Sequence, residues 1–334
     1  MMSSSRFALL VVAAGSHLSV AALGIASSNC SSTETVDSCW RRWLEDPPLA
    51  ASLLADELAS RADSVVRAID SSYAGGNLSG EIDVVCSGGG DLNGYYMGVL
   101  MVLSRLQTRG ALRQMRHAGA SAGGWMSFEN ALKGEGRTLE SYLSYGLLEE
   151  TYPMHFSTTA TAVLLQDHHW RMMAEWQATK WNASLSALDG VVTLALSCKK
   201  ITGTSLVLVD QYTSIDQAAR AFIATGAIEE TYEGMTCADG SGESGPNMTP
   251  LFEDGTGRSP RPQLVINLMH VASAVDTFRM GFGKFTSSQY AELVRLGQDE
   301  AAEWYRTGVP PTRDAKALTL CPKGARVIEH VCLG

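Results

Sequence analysis

The chain has 334 residues, 45% hydrophobic and 18% charged, which suits a large globular domain and argues against a disordered, collagen-like or coiled-coil chain. Its formal net charge is −9, with no basic stripe, which argues against nucleic-acid binding and against a polybasic hold on anionic membranes.

The first residues read as a targeting segment. "MMSSSR" carries one positive charge, "FALLVVAAG" is an apolar run, and "ALGIASS" offers small residues for cleavage after Gly24 or Ala26. Ser16, His17 and Ser19 interrupt the apolar run, so a clean membrane span is missing. The expectation is a signal peptide over residues 1–26, a single domain over 27–334, and a secreted or lumenal protein. Glycosylation sequons at Asn29, Asn77 and Asn182, and a weaker one at Asn247 before Pro250, agree with that route. An oxidising compartment favours bridges among the seven cysteines. Cys30 with Cys39 and Cys321 with Cys332 are the local pairs, and Cys198 with Cys237 is a third candidate. Cys86 is the expected odd one out, because it sits in a predicted buried strand. No spacing resembles a metal site.

Residues 46–75 have apolar side chains at helical spacing after a Pro pair. "IDVVCSGGG" predicts a strand running into a glycine loop, "GVLMVLSRLQTRGAL" a helix, "QMRHAGA" a second strand and "AGGWMSFENALKGE" a second helix. This alternation over residues 82–134 predicts a parallel sheet covered by helices, with ligands at the carboxyl ends of the strands. Residues 137–185 read as helical. "VVTLALSCKK" and "SLVLVDQ" read as strands joined by a turn at Gly203, and "SIDQAARAFIATGAI" as a helix. "EGMTCADGSGESGPNMTP" reads as a Gly-rich surface loop and "QLVINLMH" as a late strand. A C-terminal helix over about 286–307 opens on a Thr286–Gln289 capping box.

Two segments carry candidate chemistry. "GASAGG" centres Ser121 between Gly119 and Gly123, the pattern of a strand-to-helix elbow that exposes a nucleophilic hydroxyl. The two glycines are required there because a Cβ would clash where strand and helix cross. The helix N-terminus then adds partial positive charge for an oxyanion. Gly88, Gly89 and Gly90 follow a strand, and three glycines there suit bare backbone that approaches an anion. Candidate bases are Asp254 and Asp239, each in an Asp-Gly turn, and His270 or His330, which follow them in a Ser…Asp…His order. His168 and His169 in "QDHHW" read as a partly exposed helix face. Trp125, four residues after Ser121, is on the face that could line an acyl-chain pocket with Met126 and Phe128, while packing of the helix on the sheet is the commoner role for each of them.

Taken together, the chain resembles the patatin-like acyl hydrolases, the family of patatin, bacterial patatin-like phospholipases and adipose triglyceride lipase. "SGGGDLNGYYMGVLMVL" is similar to the family's glycine loop and following helix, "GASAGG" to its elbow, "SIDQAARAFIATGAI" to its small-residue helix, and "LFEDGTGRSPRPQLVINL" to its Asp-Gly segment. The likeness runs from about Asp83 to Leu268. It implies a three-layer α/β/α fold around a mainly parallel sheet. It also implies a lipase or phospholipase A-type esterase acting on glycerolipids at a membrane, micelle or droplet surface, without cofactor. By the resemblance, Ser121 is the nucleophile, Asp254 the base of a Ser-Asp dyad, and Gly88 to Gly90 the oxyanion hole. Two departures stand out. Leu92 and Asn93 occupy the places of a basic residue and a glycine, and Thr256 follows Asp254-Gly255 where the family has Gly or Ala. The alternatives are an esterase with a Ser-Asp-His triad and a non-enzymatic storage or lipid-binding protein of the same fold.

Overall fold

The computed structural model describes Cys30 and residues 33–69, 81–152, 160–182, 184–200, 203–240, 263–266, 286–307, 326–328 and 331–333. Residues 1–26, Asn29, Asn77, Asn247, Cys321, Asp254, Thr256, His270 and His330, for which the sequence raises expectations, fall outside the described residues.

Two helices precede the sheet, α1 (Val36–Glu45) and α2 (Leu49–Ala68). The strand-helix alternation then unfolds as read: β1 (Glu81–Cys86), α3 (Asn93–Thr108), β2 (Gln114–Gly119) and α4 (Ser121–Ala131). The chain continues through α5 (Glu135–Thr151), α6 (Ala160–Thr179), β3 (Val192–Lys200), β4 (Gly203–Val209), α7 (Ile215–Ala224), β5 (Glu230–Tyr232) and β6 (Met235–Asp239). It ends with β7 (Gln263–Ile266), α8 (Ser287–Thr307) and a small hairpin of β8 (Arg326–Ile328) and β9 (Val331–Leu333).

The fold is α/β with a mixed sheet. β7, β1, β2 and β3 run parallel in that spatial order, and β4 and β6 both pair antiparallel with β3. The parallel strands read as short apolar runs because helices and further chain bury them. The pleat sorts their side chains. Val84, Cys86 and Met115 join the main core, while Val85, Ala118 and Ala195 form a separate cluster on the other face. Asp83 and Arg116 are register partners, and the fully buried Asp83 carboxylate takes a bidentate ion pair at 2.7 and 2.8 Å.

Several local signals act as their chemistry requires. The capping box closes α8: Thr286 N–H donates to Gln289 Oε1 at 2.9 Å, and Gln289 N–H to Thr286 Oγ1 at 3.2 Å. α3 ends in a Schellman motif, with Gly110 at φ +75° and the N–H groups of Gly110 and Ala111 donating to Gln107 and Leu106. α3 then lies directly on α8, since a Cβ on Gly98 would sit 2.0 Å from the Val294 carbonyl oxygen. Bridges join Cys30 to Cys39 and Cys198 to Cys237, and Cys86 is a buried free thiol, pushed up to about 12 by burial.

Three readings are corrected. Lys180, Trp181, Asn182 and Ser184 are not helical, and Leu185 opens a short 3₁₀ turn, because the chain leaves α6 to seat Trp181, whose Nε1 donates to the buried Glu129 carboxylate while its ring packs on Phe128 and Phe222. The start of the Gly-rich segment is not a surface loop. Residues 230–239 form a hairpin on β3, with Cys237 opposite its disulfide partner Cys198. His169 is buried, not on an exposed face, and its Nε2 lies 3.0 Å from an Asp37 oxygen as α1 packs on α6. His168 meets the same carboxylate at 3.1 Å.

Candidate active site

Ser121 is the first residue of α4 and directly follows β2. Its φ is +55°, a conformation that non-glycine residues avoid, so the turn holds local strain at this serine. The flanking glycines are required by contact. A Cβ on Gly119 would lie 2.6 Å from the Gly123 backbone, and one on Gly123 would lie 2.2 Å from the Ser87 carbonyl oxygen. The elbow therefore presses the start of α4 onto the loop that follows β1.

That loop holds Gly88, Gly89 and Gly90. Gly90 is left-handed at φ +53° and begins a short 3₁₀ turn that leads into α3. A buried network ties the loop to α3: the hydroxyls of Ser87 and Tyr96 lie 2.9 Å apart, and both reach the Gly88 carbonyl oxygen. Among the described residues, no backbone carbonyl accepts from the N–H groups of Gly88, Gly89 or Gly90.

A small cavity of about 10 Å³, room for about one water, opens between these two segments. Its walls are Gly90, Asn93, Ser121, Ala122, Trp125, Trp170, Gly226 and Asp239. The glycine loop, the elbow serine and one of the two candidate aspartates thus meet in one place. No histidine lines it among the described residues. His117 is buried apart from the cavity, with Asn130 Nδ2 3.4 Å from its Nε2, and burial pushes its imidazole down to about 4.

Asp239 reaches the cavity because it is the last residue of β6. The turn after it is also fixed by contact, since a Cβ on Gly240 would lie 2.0 Å from the Ala195 carbonyl oxygen. The end of α7 clamps serine and aspartate together. The Thr225 carbonyl accepts from Ser121 N–H at 2.8 Å and from Gly240 N–H at 3.3 Å, while Asp239 N–H donates to Ala227 O at 2.8 Å. The Thr225 hydroxyl in turn donates to Ala195 O at 2.8 Å. Because the Ser121 N–H is occupied by Thr225, the backbone donors that no carbonyl takes up among the described residues are those of the glycine loop, of which Gly90 lines the cavity.

Sequence reasoning ranked Asp239 behind Asp254 and did not single out Thr225, Gly226 or Trp170. Trp125 lines the cavity and also belongs to the main core, with its Nε1 donating to Phe222 O at 2.6 Å. Met126 and Phe128 are buried in the same core. The nearest thing to a metal cluster among the described residues is Cys30, Glu34 and Cys39, but the two sulfurs are joined in a disulfide. No helix among the described residues is long and apolar enough to cross a membrane.

No family model matches the chain, and no curated protein or solved structure matches it either.

Proposed function

We propose that the protein is a serine acyl hydrolase of the patatin-like kind, with the three-layer architecture that the resemblance implies, acting on carboxylic esters of glycerolipids. The observation that carries this reading is the meeting of Ser121, strained at φ +55°, with the glycine loop and Asp239 around one cavity. Ser121 Oγ attacks the ester carbonyl, and the Asp239 carboxylate takes its proton. The tetrahedral oxyanion is held by N–H groups of the Gly88 to Gly90 loop, assisted by the N-terminus of α4. Collapse expels the alcohol, which regains the proton from Asp239. Water, activated by the same carboxylate, then attacks the acyl-enzyme and frees the acid.

In this reading the base is Asp239, which shares the cavity wall with Ser121; Asp254 lies outside the described residues. Trp125 and Trp170 supply the aromatic part of the wall beside Ser121. A secreted or lumenal site of action agrees with the two disulfides and with the exposed Asn182 as a glycan acceptor.

Labelling with a fluorophosphonate probe, with the adduct located by peptide mass mapping, tests the proposal. The expected adduct is on Ser121 and is absent from Ser121→Ala. No adduct on the wild type, or equal labelling of the variant, removes the nucleophile.

A further inference from the structure

Thr225 ties the serine elbow and the aspartate turn to the sheet, and the proposed mechanism gives its side chain no role. It caps the C-terminus of α7 and is fully buried. The carbonyls of a helix's last turn have no partner within the helix. The Thr225 carbonyl finds two outside it: the N–H of Ser121 at 2.8 Å, and at 3.3 Å that of Gly240, the residue after Asp239. A helix C-terminus carries partial negative charge, which suits the N–H that opens α4. Helical threonines commonly turn the hydroxyl back to a carbonyl of their own helix. This one leaves the helix instead and donates to Ala195 O on β3 at 2.8 Å. The side chain also meets α4, since a Cβ on Gly124 would lie 2.9 Å from both its Oγ1 and its Cγ2.

This anchoring bears on the strain at the serine. Ser121 stands at φ +55°, and a residue keeps such a conformation only where its surroundings hold it. Among the described residues the Ser121 N–H has one backbone acceptor, Thr225 O. That carbonyl lies at a helix end, where backbone frays unless it is fixed. The hydroxyl supplies the fixing. Ala195 sits inside β3, paired with Leu208, so its carbonyl is a rigid point from which the Thr225 side chain sets the place of its own backbone.

We infer that Thr225 is a positioning residue for Ser121: the bond from its hydroxyl to Ala195 O holds the Thr225 carbonyl on the Ser121 N–H, and so keeps the serine in its left-handed turn beside the Asp239 end of β6. This rests on the acyl-hydrolase reading above. Without that bond the turn relaxes and Ser121 Oγ leaves its attacking position, which slows the chemistry and leaves ester binding largely as it was.

The test uses Thr225→Val, which keeps the shape of the side chain and removes its donor, and Thr225→Ser, which keeps the donor. Tributyrin turnover is measured per active site, counted by fluorophosphonate titration, on proteins whose near-ultraviolet circular dichroism shows them folded. Thr225→Val is expected to lose about tenfold in kcat, equivalent to about 1.4 kcal/mol and the scale of one buried hydrogen bond, with KM within about twofold of wild type. Its labelling rate is expected to fall in step. Thr225→Ser is expected to recover most of the loss. An unchanged kcat in Thr225→Val overturns the inference and leaves the hydrolase reading standing. An equal loss in Thr225→Ser also overturns it, since the methyl group and not the hydroxyl is then what matters. Should the valine variant not fold, backbone hydrogen exchange on the wild type, resolved to single residues, decides the matter: a protected Ser121 amide is expected, and a freely exchanging one overturns the inference. A wild type that neither takes the label nor turns over tributyrin removes this inference and the hydrolase reading together.

Discussion

Replacing Gly123 by Ala adds one methyl group at the tightest point of the elbow. The new Cβ would lie 2.2 Å from the Ser87 carbonyl oxygen and 2.4 Å from that of Cys86, where ordinary contact begins at 3.4 Å. The start of α4 and the glycine loop must therefore separate by about 1.2 Å, the difference between 3.4 and 2.2 Å. Both obstacles are backbone atoms, so no side-chain rotation relieves them. Overpacking of this kind costs about 1–3 kcal/mol. A displacement near 1 Å between reacting groups costs about 100-fold in rate. Gly123→Ala is thus expected to lower the melting temperature by several degrees and to reduce kcat/KM on a short-chain ester by about 100-fold. Gly136→Ala is the matched control. It lies in the first turn of α5 with nothing within 4 Å of the new Cβ, and is expected to stabilise by about 0.5–1 kcal/mol with activity unchanged. Thermal unfolding and ester turnover on the three proteins check this. Wild-type rate and stability in Gly123→Ala would refute the elbow geometry and the role built on it.

His117 supplies a pH dependence of stability. Its imidazole titrates at about 4 in the fold against 6.5 ordinarily, so the unfolded chain binds the proton first. Stability is flat above about pH 6.5 and falls as pH drops toward 4, by about 3 kcal/mol in all. Urea midpoints at pH 7 and pH 4.5 should converge in His117→Leu relative to wild type, and an unchanged pH slope would refute the assignment. The Cys86 thiol, buried and pushed up to about 12, is expected to resist iodoacetamide in the native protein and to react in urea. Mass mapping of Cys86 decides this, with native alkylation as the refuting result.

The parallel core was legible because its signals are local. The β-branched run of β1 and the glycines that flank Ser121 are recognisable from the residues themselves. Gly119 avoids a clash with the Gly123 backbone in the next turn, while Gly123 avoids one with Cys86 and Ser87 across the fold, which the strand-to-helix elbow pattern still announces. The hairpin of β5 and β6 was hidden. Its turn is Glu233-Gly234, with both residues at positive φ, and Glu is not the Asn or Asp that announces such a turn. Composition therefore read the segment as loop. The Thr225 clamp was invisible for another reason. It acts through a backbone carbonyl, which every residue possesses, and its partners Ser121 and Gly240 are distant in sequence. The environment of His169 was likewise set by packing, since nothing in "QDHHW" reveals that Asp37 arrives from α1.

The central claim is that Ser121 works with Asp239. The most direct measurement compares kcat for a short-chain glyceride, tributyrin, in the wild type, Asp239→Asn and Asp254→Asn. Asparagine keeps the shape of the side chain and removes its basicity. The account predicts that Asp239→Asn loses about 10²–10⁴-fold, the usual worth of a positioned base, while Asp254→Asn stays within a few-fold of wild type. Near-wild-type turnover in Asp239→Asn, with collapse in Asp254→Asn, would contradict it.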